Sequence, residues 1–325
     1  MFLGATALHE TGGCHGPGAL SKRLYSLTMI SEVALSLVLL IGASLLARTF
    51  ILLNRVDPGF DNHNLLMMTM SMRGGNAGRV GSLAAMVRDG CQELTAIPGV
   101  KAAAATFSPP FASRMGLPFT SLSGTPAISG DSEWVAASPG YFQVLKIRIL
   151  RGRDFDVHDH SDTSPVVMIN ETMAKRYWPQ QGALGQQVVI GKGIGPKFED
   201  KPRTIFGVFA DTREHDLTHV PEPTMVIPDA QPPVGIIDLM SQFGPTWWMV
   251  RTNTEPHQFI PAVSEKLRSV SGGRPWARCR RWTTCFGRSI AKQNFNRLLL
   301  SIFAATALLL ASVGVYGVMA YSADA

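Results

Sequence analysis

A chain of 325 residues, 46% hydrophobic and 17% charged, has apolar material for two membrane helices and one or two soluble subdomains. The formal charge of +6 gathers largely in residues 268–297, beside an apolar run. A basic stretch there meets lipid headgroups, so no nucleic-acid partner is expected. Cys14, Cys91, Cys279 and Cys285 lack CxxC spacing, which argues against zinc and implies no disulfide framework; pairing of Cys279 with Cys285 stays open.

Residues 1–26 read as a Gly-rich cytoplasmic linker, without the apolar core and cleavage site of a signal peptide. Residues 27–47, LTMISEVALSLVLLIGASLLA, are long enough to cross a bilayer as a helix. A soluble amphipathic helix would repeat polar residues every third or fourth position, and here, past Thr28 at its start, Ser31, Glu32, Ser36 and Ser44 are the polar interruptions of the apolar run. Lys22 and Arg23 place the preceding end in the cytoplasm by the positive-inside rule. Glu32 is the only charge in the run, and a charged group at mid-bilayer costs about 2.5–3.5 kcal/mol on insertion scales. It either reaches the interface or pairs with another membrane helix, where it would couple movement.

Residues 55–290 read as a globular domain outside the cytoplasm. After the turn-rich NRVDPGF come a strand at 65–72, a helix at 80–97 stopped by Pro98-Gly99, and a strand at 100–107. Strand, helix, strand at this spacing suggests a βαβ unit of the split, ferredoxin-like sort. Residues 109–131, rich in Pro, Ser and Gly, read as an irregular crossover. Further strands are expected at 134–138, 147–150, 165–170, 187–190 and 203–210, with short helices after Pro139 and at 171–178. A strand at 247–252 and a helix at 256–270 echo the first unit, and the whole is a mixed α+β domain. A returning strand should follow. Instead GGRPWARCRRWTTCFGRS shows no alternation and fits no strand; residues 275–288 read as a reading-frame artefact, a divergent patch or an arginine-rich loop.

Residues 298–321, LLLSIFAATALLLASVGVYGVMAY, form a second uncharged run of membrane-spanning length. Ala304, Ala307, Ala311, Gly314 and Gly317 recur at spacings of three and four, either as a seam for a neighbouring helix or as ordinary membrane-helix background. The Arg288, Lys292 and Arg297 flank runs against the positive-inside rule, which weakens after long translocated domains.

Motifs for chemistry are sparse. Gly191-Lys192-Gly193 does not continue into GxxxxGK[ST], so ATP phosphates are not cradled in the usual way. The loop Arg153 to Asp162 is the most ligand-like cluster, but it lacks the Gly and terminal Glu of a calcium loop and reads as a solvated acidic turn. His215 and His219 are four apart, with Glu214 misplaced for a zinc helix and Pro221 close behind. No Gly-x-Ser-x-Gly elbow occurs, and Cys91 lies in an expected helix without a recognisable His partner. No catalytic, cofactor or metal residues are therefore expected.

The segments SEVALSLVLLIGASLLARTF running into RVDPGFD, SPGYFQVLKIRILRGRDF, PVVMINETMAKRYWP followed by LGQQVVIG, TIFGVFADTREHDL and the closing apolar run resemble MacB-like ABC transporter permeases with an FtsX-type membrane domain, of the duplicated-permease type. The resemblance covers nearly the whole chain from about residue 20. It implies an extracytoplasmic core between transmembrane helices in the inner membrane, with coupling to an ABC ATPase in trans and to further permease helices or a second permease unit. A periplasmic adaptor is a further expected partner. In the family three membrane helices follow the core; this chain stops after the first, so a fragment of a second half is expected. A membrane scaffold regulating a cell-wall enzyme, or a truncated remnant, are the alternatives.

Overall fold

The computed structural model describes residues 57–71, 80–110, 115–122, 128–213, 220–243, 245–270 and 276–281, with separate helical residues between 27 and 48 and between 301 and 312. The chain divides into two compact units, residues 1–55 with 292–325, and residues 56–291.

In the first unit the described residues are helical and their large side chains stand exposed. Leu35, Leu37, Val38, Leu40 and Ile41 are all more than half exposed, although their positions run right round a helix. No helix among the described residues is long and apolar enough to cross a membrane.

The second unit begins with β1 (Leu65–Ser71), α1 (Val80–Thr95) and β2 (Val100–Thr106). It ends with β10 (Pro245–Thr252), α5 (Ile260–Val270) and β11 (Trp276–Arg281). These strands pair in the order β11-β1-β10-β2, each antiparallel to its neighbour. That order is what two βαβ halves give when the third strand slots between the first two, so the ferredoxin-like reading holds. The alternation of β-strand side chains sets its two faces. Leu66, Met68, Ala103, Ala105, Trp248 and Val250 turn toward α1 and α5, where Leu83, Val87, Leu94, Val263 and Leu267 bury against them. Gly90 permits that approach: a Cβ there would lie 2.4 Å from the Trp248 indole.

Between β2 and β10 the chain builds a second subdomain. β3 (Met115–Ser121), β4 (Ser129–Ala137), β6 (Val166–Asn170), β7 (Gln187–Ile190), β8 (Arg203–Phe209) and β9 (Thr224–Pro228) pair in the ring β4-β3-β7-β8-β6-β9. A parallel β9–β4 ladder closes it. Closure removes sheet edges, and so narrow a ring is filled by its own side chains. Phe119, Trp134, Ala136, Val167, Ile169, Val188, Ile190, Ile205, Met225 and Ile227 fill it. The intervening residues Val135, Ala137, Met168 and Val226 face outward. They join Leu65, Met67, Ala102, Ala104 and Met249 from the ferredoxin-like sheet in one core. α2 (Tyr141–Leu145) contributes Tyr141, Phe142, Val144 and Leu145 to that seam.

Three local elements complete this subdomain. β5 (Ile149–Gly152) pairs with β8. α3 (Glu171–Tyr177) starts at Asn170, whose side chain accepts from the Met173 N–H as an N-cap. α4 (Val234–Phe243) brings Ile236 into the ring's interior cluster.

Three expectations need correction. The crossover 109–131 contains β3, where Pro118 is tolerated because pairing with β7 involves only Phe119 to Ser121. β9 and α4 were not foreseen. β9 is buried along its whole length, so it lacks the polar alternation that marks a half-exposed strand. The arginine-rich segment forms β11, which pairs with β1. It lies at the end of the sheet order, and an edge strand is held through one side of its backbone and suits charged residues.

Candidate functional site

β1 and β11 are antiparallel neighbours, with Leu66 opposite Arg281 and Met70 opposite Trp276. The chain therefore enters the domain's sheet and leaves its last described strand at the same end. Buried side chains tie the entry segment to the sheet. Arg251, on β10 and 4% exposed, donates from Nη2 to the carbonyl of Asp61 at 2.6 Å, from Nη1 to that of His63 at 2.7 Å and from Nε to that of Val144 at 2.6 Å. A buried guanidinium is tolerable because its fork is satisfied by fixed acceptors. Burial lowers the Arg251 pKa, and the Asp61 charge opposes that.

The Asp61 N–H donates to the Leu145 carbonyl at 2.9 Å, and Lys146 Nζ donates to its carboxylate at 2.5 Å. Burial raises the Asp61 pKa. Lys146, then the His63 contacts and Arg251, outweigh it and hold the carboxyl well below its ordinary range. Upstream, Gly59 has φ +82°, and a Cβ there would lie 2.2 Å from the Asp211 carbonyl oxygen. The Arg213 N–H donates to the Pro58 carbonyl at 2.9 Å. Entry segment, ferredoxin-like sheet, α2 and ring subdomain are thus one connected piece.

A cavity of about 570 Å³ opens between α1 and the loop that follows β5. Ala84, Ala85, Arg88 and Cys91 line it from α1, with Pro139, Val157 and Asp229 across from them. The loop is mostly exposed, with Phe155 and Asp159 turned inward to anchor it. Arg153 clamps Asp159 with two bonds of 2.7 Å and lies 4.7 Å from the centre of the Phe206 ring. Asp159 also accepts the Asp156 N–H at 3.0 Å. Gln231 Nε2 donates to the His160 carbonyl at 3.0 Å, and its Oε1 accepts from buried Arg203 at 3.0 Å.

Burial pushes Asp229 up to about 7 against the N–H groups of Asp229 and Ala230. Burial also pushes the Cys91 thiol up to about 12, the Ser138 hydroxyl resisting and the Asp229 charge adding. At neutral pH this thiol is a protonated, poor nucleophile. Asp154 is raised to about 6 by burial, against the Phe155 N–H and Arg153.

Glu32, His215, His219, Ala304, Ala307, Ala311, Gly314 and Gly317 lie outside the described residues, as do the side chains of Cys279 and Cys285. Arg251, Asp229 and Arg203 were missed as anchors. The available signal was an ionisable residue ending or opening a run of buried strand residues, as in TWWMVRT and TMVIPD.

The MacB-like periplasmic core domain family profile matches residues 26–270. No curated protein matches the chain. Among solved structures, the periplasmic region of MacB from Actinobacillus actinomycetemcomitans is 14% identical, with a TM-score of 0.44 over 72% of this chain and 94% of that one. The extracellular domain of the noncanonic ABC-type transporter YknZ from Gram-positive bacteria is 16% identical, with a TM-score of 0.38 over 63% and 95%. A domain of a putative permease protein from Porphyromonas gingivalis is 16% identical, with a TM-score of 0.40 over 65% and 86%. On the match across residues 26–270 and its mixed α+β architecture, the chain belongs to the family of MacB-like periplasmic core domains.

Proposed function

We propose that this chain is a membrane-spanning permease subunit of an ABC transporter, in which a separate ATPase moves an extracytoplasmic domain through the membrane helices. Family membership supports the transporter context. The observation that carries the mechanical reading is the side-by-side pairing of β1 and β11. Both chain connections reach one end of a domain whose entry segment is fastened by Arg251 and whose two subdomains share a core. A displacement delivered at that end moves the domain as a body, because packed interiors transmit strain.

In this reading residues 1–26 are a cytoplasmic linker, 27–47 and 298–321 are transmembrane helices in the inner membrane, and 55–290 form the extracytoplasmic core. Exposed apolar side chains around the helix at 35–41 support a lipid-facing role. Glu32 would pair within the permease, and Ala304, Ala307, Ala311, Gly314 and Gly317 would form a helix seam. The partners are an ABC ATPase in trans, further permease helices or a second permease unit, the bilayer and a periplasmic adaptor; the chain itself carries no catalytic site.

The test is cross-linking in native membranes followed by affinity purification of the chain. Recovery of an ABC ATPase supports the reading, and its consistent absence overturns it.

A further inference from the structure

The cavity between α1 and the loop after β5 is lined by more carboxylates than cations, and one of those carboxylates has no cationic partner among the described residues. Four carboxylates line it, Asp156, Asp159, Asp162 and Asp229, against one guanidinium, Arg88. Arg88 is already 3.2 Å from Asp89. Arg153 pairs with Asp159 at 2.7 Å and lies 3.4 Å from Asp156, His158 stands 3.1 Å from Asp156, and His160 also lines the cavity, which leaves Asp229 as the buried carboxylate without a cation. Asp229 is the decisive group. It is 7% exposed, its backbone N–H donates to the Ala137 carbonyl at 3.0 Å, and no cationic side chain offsets the burial of its carboxyl among the described residues. A buried carboxylate without a counter-ion is costly to ionise, and a ligand ammonium would supply what the protein omits.

The remaining wall suits the body of such a ligand. Ala84, Ala85, Pro139 and Val157 give an apolar surface beside the acid, and about 570 Å³ lies within the usual range of small-molecule sites. We infer that this cavity binds a small amphipathic amine, its ammonium paired with Asp229 and its apolar part against the α1 alanines. This assignment stands on the cavity alone and is independent of the transporter reading.

The full chain in phosphatidylcholine nanodiscs, titrated with 4-fluorophenethylamine and followed by fluorine NMR against empty discs, tests it. Saturable binding of the amine is expected, at least tenfold tighter than that of 2-(4-fluorophenyl)ethanol or 4-fluorophenylacetate. Asp229→Asn should weaken the amine at least tenfold and leave the alcohol unchanged. Ala85→Phe, which fills the cavity without touching the charge, should abolish both. Equal binding of amine and alcohol, preference for the carboxylate, or undiminished binding to either folded variant overturns the assignment. Repeating the titration in discs containing phosphatidylethanolamine identifies the source: competition assigns the ammonium to a lipid headgroup, and no competition assigns it to a soluble amine.

Discussion

Arg251 holds Asp61 twice: Nη2 donates to its carbonyl oxygen at 2.6 Å, and Nη1 lies 3.5 Å from its carboxylate. One residue belongs to the strand β10 and the other to the segment that leads into β1, so the pair fastens the entrance of the domain to its sheet. A buried fork of this kind also leaves its acceptors stranded when it is removed. Arg251→Met should therefore lower stability by about 2–4 kcal/mol, read by urea denaturation. Arg251→Lys should recover only part of that, because one ammonium cannot span three carbonyls in the same geometry.

Asp61 carries an acid-sensitive share of that stability. Its folded pKa is depressed, so its contribution is fully present above the unfolded carboxylate value near 4 and is lost as pH falls below it. Asp61→Asn should flatten the acid limb of the stability curve between about pH 4 and 2. Thermal melts across pH 2–7 measure this, and an unaltered acid limb would contradict the assignment.

Asp229 has the opposite sign. Its folded pKa of about 7 lies above the unfolded value, so the folded state binds more protons between about pH 4 and 7 and stability declines across that window. Asp229→Asn, neutral at every pH, should match or exceed the wild type by about 1–4 kcal/mol at pH 8 and show no advantage at pH 4. Paired denaturation curves at the two pH values decide it.

Gly59→Ala should loosen the entrance without touching any charge. The positive φ and the 2.2 Å approach to the Asp211 carbonyl together cost about 1–3 kcal/mol by strain alone. Hydrogen exchange should accelerate first at 57–64, ahead of the ring strands.

β11 gives a direct check on the sheet. Its pairing with β1 predicts slowed exchange for amides in 276–281 that face β1, alternating with fast ones along the open edge. Uniformly fast exchange would return the segment to the arginine-rich loop that its composition suggests.

The sequence by itself determined the elements whose burial repeats with their own geometry. Val80 to Thr95 has apolar residues at helical spacing and a Pro-Gly stop, and β2 and β10 are bounded apolar runs, so the first βαβ half and the strand and helix that open the second were legible. The ends of several strands shifted by only a few residues, because termini depend on pairing partners. Only tertiary structure decided the closed ring, since the β9–β4 ladder joins residues far apart in the chain and β9, buried on all sides, has no alternating signature. The same holds for β11, which a neighbouring backbone recruits despite its charges. Arg251 and Asp229 look in the sequence like surface charges after a strand. Their importance comes from which carbonyls surround the first and which cation fails to reach the second, and both are set by long-range packing.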